Sequence, residues 1–198
     1  MRFALVLLAL VALAATAEAS SMLSPGTTFP AWELTDHTGA TVGSRDLAGR
    51  TYLLWFFPKA MTSGCTAEGD ALRDHFAAFQ AKGVEILGVS FDTPEDNARF
   101  VREQSFPFRL LSDRDHALAN EVGAVYLKIQ PVASRVSYLV GPDGKVLKAY
   151  ASVTPASHAE EVLGDLAAPP AAPPAPPGAA APPAPLPAAP APPPAGSR

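Results

Sequence analysis

The stretch Pro58-Lys59-Ala60-Met61-Thr62-Ser63-Gly64-Cys65-Thr66-Ala67-Glu68 holds the only cysteine of a 198-residue chain. The bland use of a lone thiol is as a small buried hydrophobe. Its position argues for chemistry instead. An apolar run, TYLLWFF (51–57), stops at Pro58, and a helical pattern begins at Cys65. In the first turn of a helix, unpaired backbone N–H groups and the positive end of the dipole favour the thiolate, which is the nucleophilic form. The neighbours Thr62, Ser63, Gly64 and Thr66 are small and polar, and suit the rim of a pocket better than a core. A disulfide oxidoreductase is disfavoured because it uses a Cys-x-x-Cys pair. The four histidines, His37, His75, His116 and His158, fall singly on expected turns and helices and read as solvent-facing. They give no metal-ligand cluster, so neither a metal nor another cofactor is expected.

Holding such a thiol takes a framework, and hydrophobic patterning predicts one. Residues 29–47 contain two short extended runs around a His37-Thr38-Gly39 turn, a hairpin pattern. Residues 51–57 and VEILGVS (84–90) read as buried strands. Between them Leu72, Phe76 and Phe79 recur at helical spacing from Cys65 to about Lys82, and Gly83 ends the run. TPEDNARFVREQ (93–104) has Thr93 as N-cap, Pro94 at the first helical position and acids in the first turn. Residues 113–124 read as a short helix ended by Gly123. Residues 134–140 and 144–150 read as strands joined by a Gly-Pro-Asp-Gly turn, and 155–167 as a closing helix. This order predicts an α/β thioredoxin-like fold, a central mixed β-sheet flanked by helices.

Both ends fall outside that domain. Arg2, the uncharged apolar run 3–15 and Ala17-Glu18-Ala19 match a cleaved signal peptide over residues 1–19. The apolar run is shorter than the roughly 20 residues of a membrane-spanning helix. We expect an exported, periplasmic or secreted protein without stable membrane insertion, its mature chain starting near Ser20; the alternative is an uncleaved N-terminal anchor. Residues 168–198 hold 14 of the 22 prolines and 12 alanines, the composition of an extended, disordered Pro/Ala-rich tail. Residues 20–167 remain as one domain. The net charge is −4, with no basic cluster, which argues against nucleic acid or an anionic membrane as partner.

Pro58, Thr62 and Cys65 form the spacing proline, three residues, threonine, two residues, cysteine. With it, residues 29–60 and 85–124 resemble the peroxiredoxin family, in particular the peroxiredoxin Q or bacterioferritin comigratory protein subgroup. The resemblance implies that Cys65 is the peroxidatic cysteine and that the Thr62 hydroxyl orients the peroxide. It implies that Pro58 shields and shapes the pocket, that Arg135 in SRVSYLV holds the thiolate and the developing oxyanion, and that Glu68 orients Arg135. Read from the residues alone, Arg135 is a surface strand arginine and Glu68 a capping acid.

Departures from the subgroup matter as well. Many members carry a resolving cysteine five residues after the first; here that position is Asp70. Ser63 replaces a common proline, and Met61 stands where a small or polar residue is usual. The implied enzyme is a one-cysteine peroxidase acting on hydrogen peroxide and organic hydroperoxides. It needs an external thiol reductant (thioredoxin-like, glutathione or a periplasmic thiol protein), and a monomer or weak homodimer is expected. The alternative is an exported redox-sensing or binding module that uses Cys65 without efficient turnover.

Overall fold

In the computed structural model, which describes residues 21–126 and 131–166, the elements follow closely from local chemistry. The expected signal segment and the tail lie outside the described residues. β1 (Glu33–Asp36) and β2 (Thr41–Gly43) form the expected hairpin. Its turn is closed by Asp36, whose Oδ1 accepts from Thr38 N, Thr38 Oγ1 and Ala40 N at 2.8, 2.6 and 3.0 Å. β3 (Thr51–Phe56) leads through a loop into α1 (Ser63–Asp74) and α2 (Phe76–Ala81), then β4 (Val84–Ser90). α3 (Pro94–Gln104) starts as its cap predicts, with Thr93 Oγ1 accepting from Asp96 N at 3.1 Å. β5 (Arg109–Ser112), α4 (Ala117–Glu121), β6 (Val136–Val140), β7 (Val146–Tyr150) and α5 (His158–Asp165) complete the order.

The strands make one mixed sheet in the order β2-β1-β5-β4-β3-β6-β7. β3, β4 and β5 are parallel to their neighbours in that trio, and β6 lies antiparallel to β3. β3 is apolar throughout because both its faces are covered. Tyr52, Leu54 and Phe56 join one core with Leu118 and Ala119 of α4. Leu53, Trp55 and Phe57 join the other core, with Cys65, Leu72, Phe79, Phe100 and Val162 from the helices that cover that face. Trp55 pairs with Gly88 across the β3–β4 ladder, and a Cβ there would lie 2.4 Å from Leu110 Cδ2 and 3.1 Å from the Trp55 ring. Glycine leaves the room that these side chains occupy. The architecture is the thioredoxin-like one expected.

Four expectations need correction. The helix over 65–82 starts earlier, at Ser63, and is broken at His75, where φ −99° and ψ 4° end α1 and start α2. β5 is a strand that the hydrophobic pattern did not announce: it is four residues long and lies between Pro107 and the charged Asp113–Asp115. The helices expected over 113–124 and 155–167 are shorter, and the second is preceded by a 3-10 turn at Pro155–Ser157. The histidines, expected to face solvent, are only partly exposed or, at His158, buried. His158 is completely buried, His116 stacks on Phe91 with ring centroids 4.0 Å apart, and His37 Nδ1 accepts from Leu110 N at 3.3 Å. His75 is half-buried, with Nδ1 2.9 Å from Ala71 O.

Candidate active site

Cys65 is the third residue of α1, and three features of the chain put it there. β3 ends at the carboxyl edge of the sheet, where Phe57 N still donates to Val89 O at 3.0 Å. Pro58 cannot continue the ladder, because it has no N–H. The chain then reverses through Met61, a non-glycine residue held at φ 66°, in the left-handed region. Thr62 takes extended angles and α1 begins, its first rung running from Thr66 N to Thr62 O at 2.9 Å. The N–H groups of residues 63–65 therefore have no acceptor in the helix itself.

The loop is pinned from below. Asp92, 3% exposed, follows β4; its Oδ2 accepts from Ala60 N at 2.8 Å and its Oδ1 pairs with Lys59 Nζ. Ser90 Oγ accepts from Asp92 N and donates to Asn97 Oδ1, and Asn97 Nδ2 donates to Ser112 Oγ. This buried polar set ties β4, α3 and β5 to the segment that presents the thiol. Nothing in the sequence pattern marked it, because Asp92 reads there as one more loop acid.

Of the residues singled out from the sequence, Arg135 and Glu68 are linked to the thiol, while Thr62 and Pro58 lie on the loop that leads into α1. Arg135 precedes β6, the strand beside β3, and its Nη2 donates to Cys65 Sγ at 3.4 Å. Its Nη1 donates to Glu68 Oε2 at 2.5 Å. Burial opposes the guanidinium charge, but the hydrogen bonds to Cys65 and Glu68 outweigh it and hold Arg135 charged above its already high ordinary value. Gly64 makes room for this approach: a Cβ there would lie 3.1 Å from Arg135 Nη2. Glu68 is fully buried, so it is no capping acid; it is the carboxylate partner of Arg135. Thr62 is exposed, and its hydroxyl donates to Lys59 O at 2.9 Å, which leaves its lone pairs free to accept. Pro58 is half-buried at the start of the loop.

Cys65 itself is fully buried. A cavity of about 380 Å³ lies elsewhere, by the amino ends of β3, β4 and β5, lined by Arg50, Phe76, Val84 and Phe108 among others. It contains none of the thiol-site residues. His158 was missed from the sequence: its Nδ1 lies 2.9 Å from Glu68 Oε1. Among the described residues no group of three or more His, Cys, Asp or Glu side chains is placed to hold a metal ion.

A buried single thiol at a helix start, faced by an arginine that a carboxylate restrains, is an arrangement for anionic sulfur chemistry. Comparison with known proteins places it in a family. Residues 25–149 match the model of the AhpC/TSA family. The chain is 34% identical over 146 residues to peroxiredoxin Bcp of Escherichia coli, an alignment covering 71% of this chain and 94% of that protein. Its structure is similar to the crystal structure of peroxidoxin BcpB from Mycobacterium tuberculosis, with TM-score 0.69 and 29% identity over 74% of this chain and 97% of that one. It is also similar to the bacterioferritin comigratory protein of Xanthomonas campestris, a protein with alkyl peroxide reduction activity, at TM-score 0.66 and 32% identity, covering 74% and 96% of the two chains. The chain belongs to the AhpC/TSA family, as a peroxiredoxin of the Bcp/PrxQ kind with a single cysteine.

Proposed function

We propose that the protein is a thiol-dependent peroxidase in which Cys65 alone carries the redox chemistry. The observation that carries this reading is the contact of Arg135 Nη2 with Cys65 Sγ, made by a guanidinium whose other arm is held by buried Glu68. The Cys65 thiolate attacks the terminal oxygen of a peroxide, the O–O bond breaks, and the leaving oxygen departs as alkoxide or hydroxide and takes up a proton. Sulfur is oxidised to the sulfenic acid and the peroxide is reduced to alcohol or water. Arg135 and the free N–H groups at the start of α1 face the oxygens on which charge develops. The Thr62 hydroxyl, its hydrogen committed to Lys59 O, is free to accept a hydrogen bond from the peroxide and so to align the O–O bond. Pro58 and Met61 narrow the approach.

Without a second cysteine, Cys65 cannot be resolved within the chain. An external thiol attacks the sulfenic sulfur, releases water and forms a mixed disulfide, and a second thiol frees Cys65. Hydrogen peroxide and organic hydroperoxides are the substrates, the latter in line with the alkyl peroxide reduction of the Xanthomonas relative. The N-terminal pattern supports export, with the reductant then an extracytoplasmic thiol; N-terminal sequencing of protein from its native cell should find residues 1–19 gone.

Stopped-flow reaction of the reduced protein with hydrogen peroxide, following thiol loss, tests the function. Wild type should consume one equivalent quickly and gain one oxygen by intact mass. Cys65→Ser should do neither, since a serine hydroxyl does not ionise at working pH. Peroxide consumption by the serine variant at the wild-type rate would refute the assignment.

A further inference from the structure

The chemistry described so far uses one oxygen of Glu68 and leaves the other unexplained. Oε2 takes Arg135 Nη1, while Oε1 faces Nδ1 of His158 at 2.9 Å. Both side chains are completely buried. Distance and alignment disagree here: the atoms are within ion-pair range, yet neither makes an aligned hydrogen bond, and His158 Nε2 has no partner among protein groups. Small rotations of either ring or carboxylate align the pair, and such bonds often tighten only when substrate is bound.

His158 is also held firmly. It is the first residue of α5, whose Ala159 and Val162 are buried in the same cluster as Cys65 and Leu72 of α1. The Tyr150 ring packs edge-on against it, with centroids 5.4 Å apart and planes at 70°. Tyr150 is fixed in turn by its hydroxyl, which donates to Asp165 Oδ2 at 3.0 Å. An apolar residue would fill this space without burying two polar ring atoms, so packing alone does not account for a histidine here.

We propose that His158 is a positioning residue of the thiol site: it holds the second oxygen of Glu68, so that the first keeps Arg135 turned with Nη2 on Cys65 Sγ. The geometry gives the reason. The terminal torsion of a glutamate is soft, and a carboxylate bound at one oxygen still swings about it. A second partner on the other oxygen fixes its plane. The guanidinium is a rigid planar fork, so the direction of the Nη1 bond determines where Nη2 points. Three contacts of 2.9, 2.5 and 3.4 Å then link α5 to the sulfur, across 93 positions of sequence from Cys65 to His158.

The proposal rests on Cys65 being the peroxidatic thiol, so its test has one readout that needs no turnover. In the full chain, His158→Leu, His158→Asn and His158→Gln would be compared with wild type by two measurements. These are the ultraviolet absorbance of the thiolate across pH and the second-order rate constant with hydrogen peroxide. His158→Leu should move the thiolate titration to higher pH and slow peroxide reaction by about tenfold to a hundredfold, the scale of a misplaced catalytic group. His158→Asn puts an amide nitrogen where Nδ1 stood and should restore most of both. His158→Gln reaches past that place and should restore less. A His158→Leu protein with wild-type thiolate titration and rate, whatever its stability, would overturn the proposal, as would equal losses in the asparagine and glutamine variants. Should the leucine variant not fold, the asparagine and glutamine pair decides alone. If wild type does not reduce peroxide, the functional reading fails, while the thiolate titration still reports on His158.

Discussion

Replacing Arg135 by methionine separates two jobs that one side chain performs. For stability, the relevant partner is Glu68, a carboxylate with no solvent exposure whose nearest cation is Arg135 Nη1 at 2.5 Å. Removing one member of a buried ion pair costs about 3–5 kcal/mol, because the other charge is left uncompensated. His158 Nδ1, 2.9 Å from the other oxygen, remains as partial compensation, which puts the expected loss near the low end, about 3 kcal/mol. Against a total of about 5–15 kcal/mol the variant stays folded. For a domain of this size the thermal midpoint should fall by roughly 9 °C. For catalysis, the group lost faces the sulfur and the oxygens that become charged, and the rate constant with peroxide should drop about a hundredfold or more, on the order of 3 kcal/mol of barrier. The double variant Arg135→Met/Glu68→Gln removes the stranded carboxylate. It should recover most of the stability and none of the rate. Urea unfolding and stopped-flow thiol oxidation on wild type and the two variants measure both quantities. A urea midpoint for Arg135→Met equal to that of wild type would refute the buried-pair argument. Recovery of rate in the double variant would refute the role of Arg135 in the chemistry.

Gly64→Ala puts a methyl 3.1 Å from Arg135 Nη2; the fold should survive, while the guanidinium gives way by a few tenths of an ångström and peroxide reaction slows about tenfold, read by stopped flow. Asp92→Ala leaves Ala60 N–H buried without its acceptor and should cost about 1–3 kcal/mol in urea unfolding. The exposed Lys59 end of that pair adds little to the cost. The peroxide rate should fall with it, because the loop before α1 loses its anchor. The last prediction concerns pH. Burial pushes the Asp36 carboxyl up, but the hydrogen bonds from Thr38 and Ala40 outweigh it and hold it below the ordinary aspartate value. A lowered folded-state value means stability that is present above the unfolded value, about 3.9, and lost as pH falls through the folded one. Wild type should therefore exceed Asp36→Asn in unfolding free energy by more at pH 7 than under acid conditions below both values, and a constant gap would contradict this.

Much of this molecule is written in local signals. The end of β3 just before Pro58, the presence of a helix that holds Cys65 in its first turn, and the Thr93–Pro94 start of α3 each depend on residues within a few positions of one another, so sequence alone determines them. The apolar β3 and β4 announce burial on both faces, and the spacing of Pro58, Thr62 and Cys65 marks the loop that carries the nucleophile. The tertiary structure decided what depends on distant partners. β5 has four residues and no pattern of its own; it is a strand because β4 and β1 offer ladders on either side. Asp92 looks like any loop acid until the fold sets its carboxylate under Ala60 N. Glu68 reads as a first-turn acid at the surface, yet α5 packs over it and shuts out solvent. His158 reads as one of four scattered histidines, yet that packing brings it to 2.9 Å from Glu68. Local sequence sets φ, ψ and caps, because those energies act between neighbours along the chain. The restraint of a guanidinium on a thiol acts through space, and only the folded sheet and the helices on it bring its parts together.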